Sequence, residues 1–277
     1  MQKLALPESA ELRRVFIIAK TYPELSSKYG ETVCTAGVDE AGNVLRLYPI
    51  PFRYLEGPQR FKRYQWISAS LTKNQRDARP ESYNVLQGSI TLQEEVPVTP
   101  DEWGRRADIL LKSASWQFSS MQDLWRAQQE DGLSLAFMRP AEITGVTLRD
   151  RSPEDAESFE QKLKTLRQEN AAARMQLDLF ESTIPPKMKN LEFLGQRVCV
   201  EWRCGDMDCT GHSMQVLDWE ICQLARRNGL EAARLKVESL LRSDRYNSAL
   251  ILGNFHMFPS SFAIIGIWYP LRNDTLF

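Results

Sequence analysis

Histidine and cysteine are scarce in this sequence, and several common catalytic motifs are absent from it. The 277-residue chain has two histidines and five cysteines. An odd, small number of cysteines argues against a disulfide framework and favours a reducing compartment. A histidine-based acid–base or triad mechanism would depend on His212 or His256 alone. No dinucleotide-binding, P-loop or nucleophile-elbow motif occurs, so these three enzyme classes have no support.

Long hydrophobic runs and a net charge of either sign are also lacking. No run approaches the length of a membrane span, and the N-terminal stretch MQKLALPESAELRR has no apolar core of the signal-peptide type. We therefore expect a cytoplasmic protein with no membrane insertion. The formal net charge is −1, so any attraction to nucleic acid must come from a local patch.

The most concentrated set of possible metal ligands lies between residues 199 and 220. Cys204, Cys209 and His212 follow a C-x4-C-x2-H spacing, which is short enough for one loop to fold around one ion. Thiolate and imidazole are zinc ligands, and a structural zinc site normally has four of them. His256 is the favoured fourth ligand because it follows a predicted strand beside this loop. The other candidates are Cys199, Asp206 and Asp208. Alternatively, the loop is an ordinary turn with small core cysteines.

Short apolar runs with turn residues between them dominate the first hundred residues. Residues 14–19, 32–38, 44–48, 65–71 and 85–92 are typical of β-strands, and the turn at 39–43 favours a hairpin. This pattern predicts a small, mostly antiparallel barrel over residues 13–92. Two further strands, at 133–137 and 143–148, extend the predicted N-terminal module over residues 1–148.

The segments RVFIIAKT and ETVCTAGVDEAGNVLRLYPI, within residues 14–50, resemble the opening of bacterial dual OB-containing domain proteins. The matching positions are Lys20, Cys34, Ala36, Gly37, Arg46 and Pro49. The resemblance implies an OB-type β-barrel that binds nucleic acid, and it implies no particular catalytic activity. An ASCH- or PUA-like barrel has a similar opening. The chain departs from the family pattern in a longer loop at 22–29 and in the ending LYPIPFR.

A basic stretch interleaved with aromatic residues follows the first three predicted strands. Residues 46–79 carry a local charge of +6, which leaves −7 for the rest of the chain. Positive charge attracts a phosphate backbone and aromatic faces stack on bases, so this mixture favours single strands or flipped bases of DNA or RNA. The residues predicted to contact nucleic acid are Lys20, Arg46, Tyr48, Arg53, Arg60, Lys62, Arg63, Tyr64, Lys73, Arg76 and Arg79. Alternatively, the aromatics are core residues and the arginines form a solvated face.

A long helix is predicted to connect two modules. Ser152-Pro153-Glu154-Asp155 is a typical helix start, and an apolar stripe continues to about residue 180. We assign residues 149–190 to this linking region, which offers a possible protein-binding surface. Residues 191–277 have the pattern β-β-α-α-β-β, predicting an α+β module that carries the zinc loop. This order suits a degenerate OB-like barrel or another small α+β domain.

Three functions remain open at this point. The favoured hypothesis is a nucleic-acid-binding protein of α+β fold with a zinc-stabilised C-terminal module. The second is a metal-dependent nuclease or hydrolase in which His212, Asp218 and Glu220 hold Mg²⁺ or Mn²⁺. Against it, carboxylates at a helix start are common for dipole reasons alone. The third is a protein-interaction scaffold that uses the long helix.

Overall fold

The protein contains both α-helices and β-strands. The computed structural model describes residues 10–26, 30–86, 88–177, 189–242 and 244–272. The strands of the N-terminal part are β1 (Glu11–Lys20), β2 (Glu24–Ser26), β3 (Gly30–Asp39), β4 (Val44–Ile50), β5 (Gln65–Lys73), β6 (Ser82–Val85) and β7 (Thr91–Glu95). The later strands are β8 (Gln117–Phe118), β9 (Leu135–Met138), β10 (Glu142–Asp150), β11 (Gln196–Arg203), β12 (His212–Gln215), β13 (Ala249–Asn254) and β14 (Phe262–Trp268). The helices are α1 (Trp103–Leu110), α2 (Met121–Asp131), α3 (Pro153–Leu177), α4 (Trp219–Asn228) and α5 (Leu230–Leu241). Within the described ranges, no helix combines the length and the apolar character that crossing a membrane requires.

Five of the N-terminal strands close into a barrel, as the sequence predicts. β1 pairs antiparallel with both β3 and β5, β3 pairs with β4, and β6 joins β4 to β5. The β4–β6 pairing is parallel. β2 extends the sheet beside β3, and β7 extends it beside β5. The barrel therefore has two extra edge strands around its closed ring.

The continuous apolar run in β1 is explained by burial on both of its faces. Val15 and Ile17 point into the barrel core, whereas Phe16 and Ile18 belong to a second buried cluster outside the ring. Gly37 on β3 lies so close to β1 that an added Cβ would be 2.3 Å from Val15 Cγ1. Only glycine fits this position without moving the neighbouring strand.

One predicted strand of the barrel is divided in the structure. The apolar run at 85–92 predicts a single strand, but β6 ends at Val85 and β7 begins at Thr91. Gly88, with φ of 78°, breaks the extended backbone between them. Ser89 holds the turn, since its hydroxyl donates to Leu86 O at 2.7 Å and accepts from Ser70 N at 3.0 Å. Apolar spacing alone does not reveal this interruption.

The later strands form a second ring with the same order of connections. β10, β11 and β12 are antiparallel neighbours, and β9, β13 and β14 are likewise. A parallel bridge between Val216 and Ile264 joins the two sheets, and Leu217 N donates to Ile264 O at 2.7 Å. When β9 and β10 are taken as one interrupted strand, both rings follow the order first, second, third, fifth, fourth. In both rings the third strand is parallel to the fifth.

The two rings divide at a different place from the predicted module boundary at residue 148. β9 and β10 fall in the predicted N-terminal module, but they pair with β13 and β11 of the later part. The apolar pattern identifies these strands correctly, but it contains no information on their pairing partners. Helix α3, predicted to link two modules, instead connects the first and second strands of the second ring.

Helix α3 begins where the sequence predicts, and the Ser152 hydroxyl accepts from Asp155 N at 3.2 Å. Among the side chains of α3 that the structure describes, those of Leu163 and Leu166 are buried. Residues 178–180 of the predicted helix, and the prolines at 185 and 186, lie outside the described residues.

A shared apolar core packs the two rings against each other. Phe16 and Trp66 of the barrel, Trp103 of α1, and Phe137 and Trp268 of the second ring belong to one buried cluster. The indole side chains of Trp103 and Trp268 meet edge to face, with centroids 4.8 Å apart. Burial of this much aromatic surface holds the two rings in a defined relative position.

Candidate functional site

Cys204, Cys209 and His212 come together in the connection from β11 to β12. His212 Nε2 lies 3.2 Å from Cys204 Sγ and 3.3 Å from Cys209 Sγ. In a tetrahedral zinc site the sulfur–nitrogen edge is about 3.6 Å, because Zn–S is about 2.3 Å and Zn–N about 2.0–2.1 Å. These three residues form a group that could hold a metal ion. We call it the thiolate site.

Aromatic rings and a helix start fix the thiolate site. The His212 ring packs against Trp202, with centroids 4.7 Å apart. Asp206 Oδ2 lies 3.0 Å from Cys204 Sγ and accepts from the backbone N–H groups of Met121 and Gln122 at 3.1 and 3.2 Å. The loop is thus bound to the first turn of α2.

Without a bound ion, burial and the hydrogen bond with Asp206 raise the pKa of the Cys204 thiol to about 11. Burial also lowers the pKa of His212. A coordinated metal would instead favour the deprotonated thiolate of Cys204, since a ligating cysteine is deprotonated.

The four candidates for the fourth ligand lie at different distances from the thiolate site. His256 does not belong to the group, since its Nδ1 lies 3.6 Å from Asp77 Oδ1 in another part of the fold. Cys199 is buried in β11, and Asp208 is exposed. Asp206 is the candidate that contacts a member of the group. The spacing in the loop brings three local residues together, but the favoured partner depended on long-range contacts that sequence spacing does not show.

A cleft of about 330 Å³ lies between the N-terminal barrel and the end of the β13–β14 hairpin. Its barrel wall consists of β3, β4, the β1–β3 connection and the β5–β6 connection. Its other wall comes from residues 253–256 and Ile265. The residues of this cleft with functional side chains are Glu24, Cys34, Arg46, Tyr48, Arg76, Asp77, Arg79, Asn254 and His256.

The three arginines of the cleft are held to different degrees. Arg46 is buried, and it donates from Nη2 to Ser134 O at 2.8 Å and from Nη1 to Cys34 Sγ at 3.0 Å. Arg79 forms an ion pair with Asp77 at 2.6 Å. Arg76 is exposed, and its guanidinium donates no hydrogen bond to any residue that the structure describes. Arg76 is therefore the cleft arginine most available to an anion.

Exposed aromatic and apolar side chains directly follow the cleft residue Phe255 in the connection between β13 and β14. His256 has 59% of its side chain exposed, and Met257 and Phe258 are exposed by 77% and 68%. Tyr48 is half-buried, and its hydroxyl lies 3.2 Å from Thr32 Oγ1. Sequence reasoning overlooked Met257 and Phe258. The run FHMF after a strand, closed by Pro259, is the signal that indicates an exposed apolar turn.

The predicted basic stretch does not form one exposed surface. Lys20, Arg46, Arg63 and Tyr64 are largely buried, with Tyr64 only 1% exposed, so its ring is not available for stacking. Partners within the fold engage four further predicted residues: Arg53 pairs with Glu31, Lys62 with Glu95 and Arg79 with Asp77, while Lys73 donates to Pro80 O. Arg60 and Arg76 remain exposed. The structure thus divides the stretch between the core, surface ion pairs and the cleft.

Two ion pairs join the barrel to the start of α4. Lys20 Nζ lies 3.3 Å from Glu220 Oε1, and Arg63 Nη1 lies 3.1 Å from Asp218 Oδ2. Asp218 also caps α4, since its Oδ1 accepts from Ile221 N at 3.1 Å. Burial, together with the neighbouring charge of Glu220, raises the pKa of Asp218 to about 7. Although burial opposes it, the charges of Lys20 and Arg63 lower the pKa of Glu220.

The nuclease hypothesis required His212 to lie beside Asp218 and Glu220. Among the described residues, the group that could hold a metal consists of His212 and two cysteines, without either carboxylate. Asp218 instead pairs with Arg63, and Glu220 pairs with Lys20. The structure does not assemble the three-residue metal centre that this hypothesis needs.

Comparisons with known proteins agree with the division between the two rings. Residues 11–112 match the model of a domain of unknown function, DUF8758, which covers the N-terminal barrel and α1. Residues 117–277 match a second domain of unknown function, DUF8757, which covers the second ring and begins at β8. A comparison with curated proteins gives no match. More than half of the chain lies within the second match, and the chain therefore belongs to the DUF8757 family, with a region similar to DUF8758 ahead of it.

Proposed function

We propose that this protein binds single-stranded nucleic acid in the cleft between the two rings. The observation that carries the proposal is the position of the cleft on the N-terminal barrel. In chain order, the five strands of the closed ring are β1, β3, β4, β5 and β6. The cleft lies on the second and third of them, β3 and β4, and on the β1–β3 and β5–β6 connections. In OB-folds these are the face and the loops that bind oligonucleotides or oligosaccharides.

The topology supports an OB-type assignment for both rings. An OB-fold is a five-stranded Greek-key barrel, and the N-terminal strands close into such a ring, with β4 parallel to β6. The second ring repeats this order and carries α4 and α5 between its third and fourth strands. The resemblance of residues 14–50 to dual OB-containing proteins implies the same fold. We infer that the chain contains two OB-type barrels.

The chemistry of the cleft favours a nucleic-acid strand over an oligosaccharide. Arg76 supplies an exposed positive charge, and bases can stack on the rings of Tyr48 and His256 in the cleft and on the exposed ring of Phe258, two residues after His256. Charge and stacking together are the usual means of binding single strands without sequence readout. A volume of about 330 Å³ lies at the lower end of the range for small-ligand pockets. The cleft would therefore enclose a short part of the strand.

The thiolate site has a supporting role in this proposal. We infer that Cys204, Cys209 and His212 bind Zn²⁺, because two thiolates and an imidazole are a zinc donor set. The ion would fix the β11–β12 connection against the first turn of α2, which Asp206 already contacts. This position on the second ring suits structural stabilisation and requires no catalytic step.

Fluorescence anisotropy with labelled oligonucleotides tests the proposal. Single-stranded DNA and RNA should bind at low salt (about 50 mM), more tightly than duplex of equal length, with affinity that falls steeply as salt increases. Replacement Arg76→Gln should weaken binding and flatten the salt slope by about one unit. The matched control is Arg60→Gln, because Arg60 is also exposed and lies outside the cleft.

The outcomes distinguish the cleft from a general basic surface. Equal losses in the two variants would place the affinity on the wider basic stretch. Absence of binding at low salt, or preference for duplex, would reject the proposal.

A further inference from the structure

A separate cavity of about 360 Å³ lies where the β1–β3 connection meets the β10–β11 connection. Residues 22–25 form one side, and α3, residues 192–197 and α4 form the others. We call it the arginine cavity because Arg151 and Arg197 both line it. It adjoins the cleft, since Glu24 and Leu217 line both, but it contains none of the cleft arginines.

Arg151 occupies an unusual electrostatic position in this cavity. Its backbone N–H donates to Gly195 O at 2.9 Å, and its guanidinium lies over the Phe193 ring, 5.0 Å from the centroid. Its Nε is buried and has no hydrogen-bond partner among the described residues, where its side chain also forms no ion pair. A buried donor without an acceptor is costly and calls for an explanation. Burial and the nearby charge of Arg197 both lower the pKa of Arg151, whereas the charge of Asp155 opposes this shift.

The carboxylates around the cavity leave this charge largely unmatched. Asp155 accepts a hydrogen bond from Arg197 Nη2, although the Nε of Arg197 remains buried and without a partner in the described part of the chain. Glu192 lies 3.6 Å from Arg226. Burial of its carboxyl group raises the pKa of Glu24, and the positive charges of Lys162, Arg46 and Arg151 oppose this shift. Asp155 and Glu192 are thus paired with other arginines, and among the described residues no carboxylate forms an ion pair with Arg151.

Apolar side chains line the arginine cavity beside Arg151 and Arg197. The rings of Phe159 and Phe193 lie 5.3 Å apart, and Leu194, Ile221 and Leu230 extend the surface. A guanidinium fork matches the geometry of a carboxylate or phosphate, and a pocket with few polar groups and an apolar lining is typical of small-ligand sites. We infer that the arginine cavity binds a small amphipathic anion, with a carboxylate or phosphate group at Arg151 and Arg197 and an aromatic or aliphatic body against the two phenylalanines. This inference does not rest on nucleic-acid binding in the cleft.

Isothermal titration calorimetry on the full chain tests the inference with four probes: phenyl phosphate, benzoate, phenol and inorganic phosphate. At least one of the two ring-bearing anions should bind saturably and about tenfold or more tightly than phenol, because a charge-assisted hydrogen bond contributes that much. It should also bind more tightly than inorganic phosphate, which lacks the apolar body. Comparison of phenyl phosphate with benzoate identifies the preferred head group.

Variants locate the binding and separate it from a structural role. Arg151→Gln should weaken anion binding at least about tenfold, whereas Arg149→Gln should leave it unchanged. Arg149 is a suitable control because it is an exposed arginine near the end of β10, two residues before Arg151, and it pairs with Glu201 at 2.8 Å. The ligand-free Tm of Arg151→Gln should equal or exceed that of the wild type, since the change removes a partly buried charge that has no ion pair among the described residues. A lowered Tm would identify Arg151 as a structural residue and overturn the inference. Absence of saturable binding, or equal binding by Arg151→Gln, would overturn it as well.

Discussion

Arg79 donates to Asp77 from both Nε and Nη2, at 2.8 and 2.6 Å, across only two residues of the β5–β6 connection. Ser82 Oγ donates to the same carboxylate at 2.7 Å, and Arg79 Nη1 lies 3.3 Å from Asn254 Oδ1 of the opposite wall. Although burial opposes it, the hydrogen bonds from Arg79 and Ser82 hold the pKa of Asp77 well below its usual range. The connection therefore stays charged and folded in place at neutral pH, and this wall of the cleft is formed before any ligand arrives.

Stacking beside the cleft should be separable from charge. Phe258→Ala should weaken single-strand binding by roughly tenfold, since one base–aromatic stack contributes about 1–3 kcal/mol. The salt slope should stay the same because no charge is removed. Anisotropy titrations at several salt concentrations measure both quantities. Leu12→Ala is the control, because Leu12 is an exposed apolar residue on β1, far from the loop in sequence. Equal losses in both variants would contradict stacking at Phe258.

Metal content should depend on the thiolate site. Purified protein should carry about one equivalent of zinc by elemental analysis, because the site offers one set of ligands. Cys204→Ser should lose the zinc and lower the Tm, whereas Cys34→Ser should keep it, since Cys34 lies in the N-terminal barrel. Chelation should lower the Tm of the wild type to a similar extent. Zinc retained at the wild-type level in Cys204→Ser would contradict the assignment.

Asp218 should make stability depend on pH. Its pKa is raised to about 7 in the folded chain from 3.8, so the folded state binds the proton more tightly than the unfolded state does. The contribution of this group is therefore fully present at low pH and is lost as pH rises from about 4 to about 7.

Asp218→Asn should remove this dependence, so its free energy of unfolding relative to wild type should increase by about 3 kcal/mol from about pH 5 to about pH 8. Urea unfolding at about pH 5 and about pH 8, which lie below and above the folded-state pKa of Asp218 of about 7, measures the change. Asp123→Asn is the control, because Asp123 is an exposed carboxylate in the first turn of α2. A difference between Asp218→Asn and wild type that is the same at both pH values would refute the argument.

Close approach of β1 and β3 should make one glycine irreplaceable. Gly37→Ala would place a Cβ 2.3 Å from Val15 Cγ1 and 2.9 Å from Phe16 O, and overpacking of this kind costs about 1–3 kcal/mol or more. Gly57→Ala is the matched control, since an added Cβ there meets no atom within 4 Å. Chemical denaturation compares the two variants. A Gly37→Ala variant as stable as Gly57→Ala would show that the strands adjust freely.

Local patterns predicted what depends on neighbours in sequence. The C-x4-C-x2-H spacing predicted that three candidate ligands lie in one loop, and the start of α3 at Pro153 followed from its cap. Long-range pairing was not accessible in the same way. Arg46 binds Ser134 and Arg63 binds Asp218, 88 and 155 residues away. Composition identified these arginines as a basic stretch, but only the fold shows that their charges are already engaged.

The shared aromatic core makes the two halves of the chain depend on each other. A fragment ending near residue 112 would leave Phe16, Trp66 and Trp103 facing water, because Phe137 and Trp268 cover them from the other ring. A fragment beginning near residue 117 would expose the complementary surface, and large exposed apolar patches promote aggregation. We therefore expect truncations at the boundary between the two matched regions to be poorly soluble. We also expect the two regions to occur together in the same chain in related proteins, because each covers apolar surface of the other.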